Sequence, residues 1–139
     1  MEPLKLVELA IEARERAYVP YSKFSVGAAL LTKAGKVYQG CNIENASYGA
    51  TNCAERTAFF KAIYEGEREF EAIAVVGGPE GTPVNELCAP CGICRQVMAE
   101  FCAPEFKSYL SKGDGTFVES TLTKMLAFSF TKDDLPMQF

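Results

Sequence analysis

The chain has 139 residues, 48% of them hydrophobic and 23% charged, with a net charge of −4. That balance suits one globular domain, 1–139, with a real core, and argues against a nucleic-acid groove, which is usually basic. No apolar run approaches the roughly 18 residues of a membrane span. The first segment, MEPLKLVELAIEARERAY, mixes acids and bases throughout, unlike a secretory leader. The expected setting is therefore cytoplasmic, with a small-molecule substrate, no nucleic acid and no membrane.

Leu4, Val7, Ile11 and Tyr18 recur at near-helical spacing with charges between them, which predicts an amphipathic helix over 3–17, stopped by Pro20. FSVGAALL (24–31) and KVYQGC (36–41) read as strands joined by a tight turn containing Gly35. Residues 42–52 have loop character. A helix runs from Cys53 to Tyr64, with Gly66 as its stop. EAIAVVGG (71–78) reads as a buried strand, and a loop rich in Gly and Pro follows it. Another helix begins after Pro90. FKSYLSK and TFVES read as two strands around Gly113-Asp114-Gly115, a strong hairpin signal. A last short helix starts near Ser120 or Thr121. This order predicts an α/β layered sheet with a βαβ crossover through each cysteine-bearing helix. Ligands on such sheets bind at the carboxyl ends of strands, beside helix N-termini.

Six cysteines lie at 41, 53, 88, 91, 94 and 102, and there is no histidine. A chain long enough for a core, without a leader, uses cysteines for metal or redox chemistry more often than for disulfides. Without histidine there is no Ser-His-Asp triad, no histidine base and no histidine zinc ligand. Cys91 and Cys94 sit three apart on the first turn of a helix, where the dipole favours thiolates. Cys53 holds the same place on the preceding helix. Two crossover helices starting at one sheet edge aim three thiolates at one point. Zinc binds such ligands tetrahedrally, and a catalytic site keeps three protein ligands with a fourth position open. Cys88 competes, because CAPCGIC contains two overlapping Cys-x-x-Cys pairs. A closed structural site of four cysteines stays open as an alternative. Cys41 and Cys102 read as packing residues.

Glu55, two residues past Cys53, reaches the open side of such a metal and is the natural proton shuttle in a chain without histidine. Its plain alternative is an acid helped by the helix dipole. Three thiolates, Zn²⁺ and an anionic Glu55 leave excess negative charge. A guanidinium on the thiolates withdraws it, a role that falls to Arg56, whose alternative is a surface ion pair.

Thr51-Asn52-Cys53-Ala54-Glu55-Arg56 with Pro90-Cys91-Gly92-Ile93-Cys94-Arg95-Gln96-Val97 resembles the zinc-dependent cytidine deaminases, with cysteine in place of histidine as in their small three-cysteine branch. Tyr21-Ser22-Lys23-Phe24, Val26-Gly27-Ala28-Ala29-Leu30 and the run from Gly40 to Tyr48 extend the likeness over most of the chain. The resemblance implies a three-layer fold: a mixed five-stranded sheet, helices on both faces, and the last two strands antiparallel. It implies one zinc per subunit on Cys53, Cys91 and Cys94, and hydrolytic deamination of cytidine, and of deoxycytidine, to uridine or deoxyuridine in pyrimidine salvage. Zinc-bound hydroxide attacks C4, and Glu55 shuttles protons. It implies that Asn42 and Glu44 bind the ribose hydroxyls, that Phe24 packs on the base, and that the main chain of Ala54 meets the pyrimidine. It also implies a homotetramer with shared active sites, to which Tyr48 and Phe130 contribute. On the residues alone, Asn42 and Glu44 are loop polar groups and Phe24 is strand core. The chain departs from the family at Ala127, where proline is usual, and in a longer loop before Pro90 that adds Cys88. Deaminases of tRNA and polynucleotides instead resemble folds with a crossover helix between the last two strands, which the Gly113–Gly115 hairpin disfavours. A blasticidin-type deaminase would not need Asn42 and Glu44 for ribose. The non-enzyme alternative is a zinc-stapled interaction module.

Overall fold

The alternation of apolar runs and loop signals builds one five-stranded sheet in a computed structural model that describes residues 1–135. Helix α1 (Pro3–Arg14) precedes strands β1 (Phe24–Thr32) and β2 (Val37–Cys41). Helix α2 (Ala54–Tyr64), strand β3 (Phe70–Pro79), helix α3 (Gly92–Phe101), strands β4 (Lys107–Leu110) and β5 (Val118–Thr121), and the single turn α4 (Leu122–Met125) follow. The spatial order is β2-β1-β3-β4-β5. Strand β1 is antiparallel to both β2 and β3, β4 runs parallel to β3, and β5 runs antiparallel to β4. The sheet is thus mixed, and its last two strands are antiparallel, as expected.

Strands β1 and β3 are buried on both faces, which explains their nearly unbroken apolar sequence. Ala28 and Leu30 point to one face, where they meet Ala58, Phe59 and Ala62 of α2 and Met98 of α3. Ala29 and Leu31 point to the other, against Leu6, Val7 and Ala10 of α1. Helices therefore cover both faces, giving three layers. Residues 33–36 make the expected tight turn, with Gly35 at φ +93°.

Three details differ from the sequence reading. Helix α1 ends at Arg14, six residues before Pro20. Its buried face is Leu6, Val7, Ala10, Ala13 and Arg14, whereas Leu4 and Tyr18 are exposed. Ala10 and Ala13 let the helix lie close to the sheet beside Leu6 and Val7, and the periodicity of larger residues missed the two alanines. The connection from β4 to β5 covers residues 111–117, longer than the turn expected at Gly113-Asp114-Gly115. Ser111 Oγ donates to the Thr116 carbonyl at 2.6 Å and accepts from Gly113 N at 3.0 Å, which closes it. The short last helix caps at Thr121, as expected, and makes a single turn.

Two glycines set how near the helices come. A Cβ on Gly27 would lie 2.0 Å from the Ala10 carbonyl oxygen, and one on Gly40 would lie 2.4 Å from that of Ala54. Both are backbone atoms with no room to yield. Arg14 is buried without a carboxylate partner among the described residues. Its Nε donates to the Ser25 carbonyl at 3.0 Å, Nη1 to Thr82 at 2.8 Å and Nη2 to Pro79 at 2.8 Å. Carbonyl dipoles replace the water that the guanidinium loses, and tie α1 to the loop after β3.

Gly27→Ala should lower the unfolding free energy by about 3 kcal/mol, at the upper end of overpacking costs. Gly49, whose Cβ position is open, should tolerate alanine within about 0.5 kcal/mol. Denaturant melts of the two variants beside the parent check both.

Candidate metal and active site

Because β1 is antiparallel to both neighbours, β2 and β3 run parallel to each other, and their carboxyl ends share one edge of the sheet. Helices α2 and α3 start from that edge. Cys53 is the N-cap of α2 and Cys91 the N-cap of α3, in matching extended backbone conformations. Neither side chain caps its own helix, so both sulfurs stay free for another partner. Cys94 comes from the first turn of α3. The sulfurs of Cys53 and Cys91 are 3.8 Å apart, those of Cys91 and Cys94 are 3.4 Å apart, and all three lie within 4.8 Å of one another. Tetrahedral bonds of about 2.3 Å to one zinc place sulfurs about 3.8 Å apart, so the donor set fits that ion. The structure leaves Cys88 out of this group of three.

As free thiols the three are unequal. Cys53 is lowered to about 5, first because Cys94 donates to it, and further by Arg56 and Cys91, against the effect of burial. Cys94 is raised, as the donor to Cys53 and by burial. Arg56 Nη2 donates to the Cys53 sulfur at 3.3 Å. Arg56 Nε is buried with no hydrogen-bond partner among the described residues. The guanidinium thus faces the thiol cluster, where negative charge gathers. Burial raises the thiols of Cys41 and Cys102, consistent with packing positions.

Glu55 lies on the first turn of α2 and is only 4% exposed. Burial pushes its carboxyl up to about 7, helped by the negative charge of Cys53 and opposed by Arg56. A carboxyl so placed takes up or releases a proton near neutrality. Ala54, between Cys53 and Glu55, is fully buried.

The polar loop before α2 is ordered by its own backbone. Ile43 and Asn52 exchange two hydrogen bonds of 2.9 Å and close the turn that carries Tyr48. The Asn42 side chain is committed to β1: Oδ1 accepts from Val26 N at 2.9 Å and Nδ2 donates to the Phe24 carbonyl at 3.0 Å. Glu44 Oε1 accepts from Tyr21 N and Ser22 N, both at 3.0 Å, which leaves Oε2 for another donor. These donors hold the Glu44 carboxyl below its usual range, the contacts with Ser22 first. Glu44 and Tyr48 line a cavity of about 320 Å³ with Tyr21, Ser22 and Thr51. The structure brings together Cys53, Cys91, Cys94, Glu55 and Arg56, and separately gathers Glu44 and Tyr48. Phe130 stands outside both groups within this chain. Its ring is exposed, and its carbonyl accepts from Gln96 Nε2 at 2.8 Å.

Arg95 is a site-shaping residue that the spacing reading passed over. Its Nε donates to the Pro90 carbonyl at 2.8 Å and its Nη1 to that of Met125 at 2.7 Å, which braces the corner before Cys91. An arginine just past a ligand pair on a first helical turn was the available signal.

Comparisons with known proteins agree with this geometry. A sequence model of the cytidine and deoxycytidylate deaminase zinc-binding region matches residues 2–109. The cytidine deaminase of Sporosarcina psychrophila is 55% identical over 97% of this chain and 96% of that one. The cytidine deaminase of Halalkalibacterium halodurans is also 55% identical, over 97% and 98%. The crystal structure of cytidine deaminase from Burkholderia pseudomallei superposes with a TM-score of 0.85 at 50% identity, covering 94% of this chain and 100% of that one. With its mixed sheet, its paired helix N-termini and its three converging thiols, the chain belongs to the zinc-binding cytidine and deoxycytidylate deaminase family.

Proposed function

We propose that this chain deaminates cytidine and 2′-deoxycytidine, with water as co-substrate, to uridine or deoxyuridine and ammonia. The observation that carries the reading is a buried glutamate, Glu55, two residues past the first of three converging thiols. Cys53, Cys91 and Cys94 would hold one zinc ion per chain, whose chemistry is Lewis-acid activation of a water molecule. Glu55 takes a proton from the attacking water and passes it to ring N3. The same carboxylate then takes the proton of the new C4 hydroxyl and gives it to the departing amine, so the C4–N bond breaks and ammonia leaves as C4 gains its carbonyl oxygen. Arg56 draws electron density from the thiolates and limits the negative charge beside Glu55. Asn42, held at the start of β1 by its bonds to the backbone of Phe24 and Val26, binds the ribose hydroxyls together with Glu44. Oε2 of Glu44 accepts from a ribose hydroxyl, Phe24 packs on the base, and the main chain of Ala54 contacts it.

The reading includes one domain over 1–139 and a homotetramer in which Tyr48 and Phe130 complete neighbouring sites. The exposed rings of Tyr48, Phe128 and Phe130 support that assembly. It also places the enzyme in the cytoplasm, where thiols stay reduced. No helix among the described residues is long and apolar enough to cross a membrane. The antiparallel pairing of β4 with β5 favours a nucleoside over a polynucleotide substrate.

Glu55→Gln should keep one zinc per chain and lose at least about 10³ in kcat, measured by ammonia release from cytidine. Zinc counted by metal analysis should be lost from Cys94→Ala and kept in full by Cys88→Ala; equal loss from both would reject the ligand set. Arg56→Ala should keep its zinc and turn over about 10-fold more slowly. An unchanged rate would reject the charge-withdrawing role.

A further inference from the structure

Pairing between β3 and β4 ends at Val75 with Leu110. Past that point Gly77 bridges Glu86, so the loop after β3 turns back and lies where β4 would have continued. Cys88, two residues on, crosses over Gly77. Alternation along the strands puts Gly77 on the same face as Ile73 and Val75, and Phe24 on the same face as Val26, Ala28 and Leu30. That is the face on which α2 and α3 carry the three thiols. A Cβ at Gly77 would stand 3.0 Å from the Cys88 sulfur, 3.0 Å from Phe24 Cε1 and 3.1 Å from the Cys88 Cβ. The two side chains crowd one point, and the absent side chain of Gly77 is what admits them. Cys88 is half-buried and packs on the same core cluster as Val26.

We infer that Cys88, seated over Gly77, is a positioning residue that fixes the Phe24 ring against the pyrimidine of the substrate. The inference rests on the proposed deaminase reading for the base contact, and on backbone geometry for the seat. Cysteine suits the place because it behaves as a small apolar side chain. Phe24 is the first residue of β1, and its Cε1 and the Cys88 sulfur meet over Gly77. An aromatic ring receives a flat base well only when its own tilt is held.

Two measurements on the zinc-loaded, full-length protein test this. The first follows alkylation of Cys88 by N-ethylmaleimide, read by peptide mass. Phe24→Ala should label Cys88 about tenfold faster than the parent, because the covering ring is gone, and Phe24→Leu should fall between the two. Equal labelling rates would overturn the inference whatever the activity. The second compares kinetics with cytidine. Cys88→Ala should raise KM roughly tenfold, with kcat within about twofold of the parent and zinc per chain unchanged. An unchanged KM in Cys88→Ala, or lost zinc, would overturn the positioning role. Failure of the deaminase reading is distinguishable, since there the parent itself releases no ammonia.

Discussion

Everything at the site depends on two helix N-termini meeting at one edge of the sheet. Cys53 and Cys91 are caps of different helices, separated by a complete strand and its loops. They meet because β1 lies between β2 and β3 and is antiparallel to both, so the chain enters both helices from the same side. The helix dipoles then favour thiolates at that edge, and a zinc ion offsets the repulsion of gathering them.

The meeting needs helices seated at the right depth. Gly40 lets α2 approach β2 until the Ala54 carbonyl lies where a side chain would be. Ala54 stands between Cys53 and Glu55, so the depth of that contact fixes both the sulfur and the carboxyl. On the opposite face Gly27 does the same for α1, and Arg14 ties α1 to the loop after β3. That loop leads to Cys88 and Pro90. Arg95 holds Pro90 from the far side and joins it to the C-terminal segment. The three thiols thus sit on a frame braced by backbone contacts from every layer.

Much of this was legible in the residues. Cys-x-x-Cys after Pro90 placed two thiols on one helical turn, and the lack of histidine singled out Glu55, which the fold buries beside them, as the proposed proton carrier. Five strands and their order along the chain followed from apolar runs and turn signals. Other features were not legible, for physical reasons. The buried face of α1 sets Leu6 and Val7 beside two alanines and one arginine, and periodicity weighted by large apolar residues found Val7 but pointed to Leu4 and Tyr18 as well. The burial of Arg14 depends on three carbonyls, one from β1 and two from residues more than sixty positions away. That the Asn42 amide bonds the backbone of β1 is a tertiary contact that no local pattern announces. Cys88 looked like a rival zinc ligand because sequence spacing carries no direction; the bridge between Gly77 and Glu86 is what turns it toward Phe24.

X-ray absorption at the zinc edge of the purified, substrate-free protein addresses the central claim most directly. Three sulfurs at about 2.3 Å and one oxygen or nitrogen at about 2.0 Å are predicted, the fourth position being the one Glu55 serves. Four sulfurs around the metal would contradict it, since a closed site leaves no place for water and no proton for Glu55 to move.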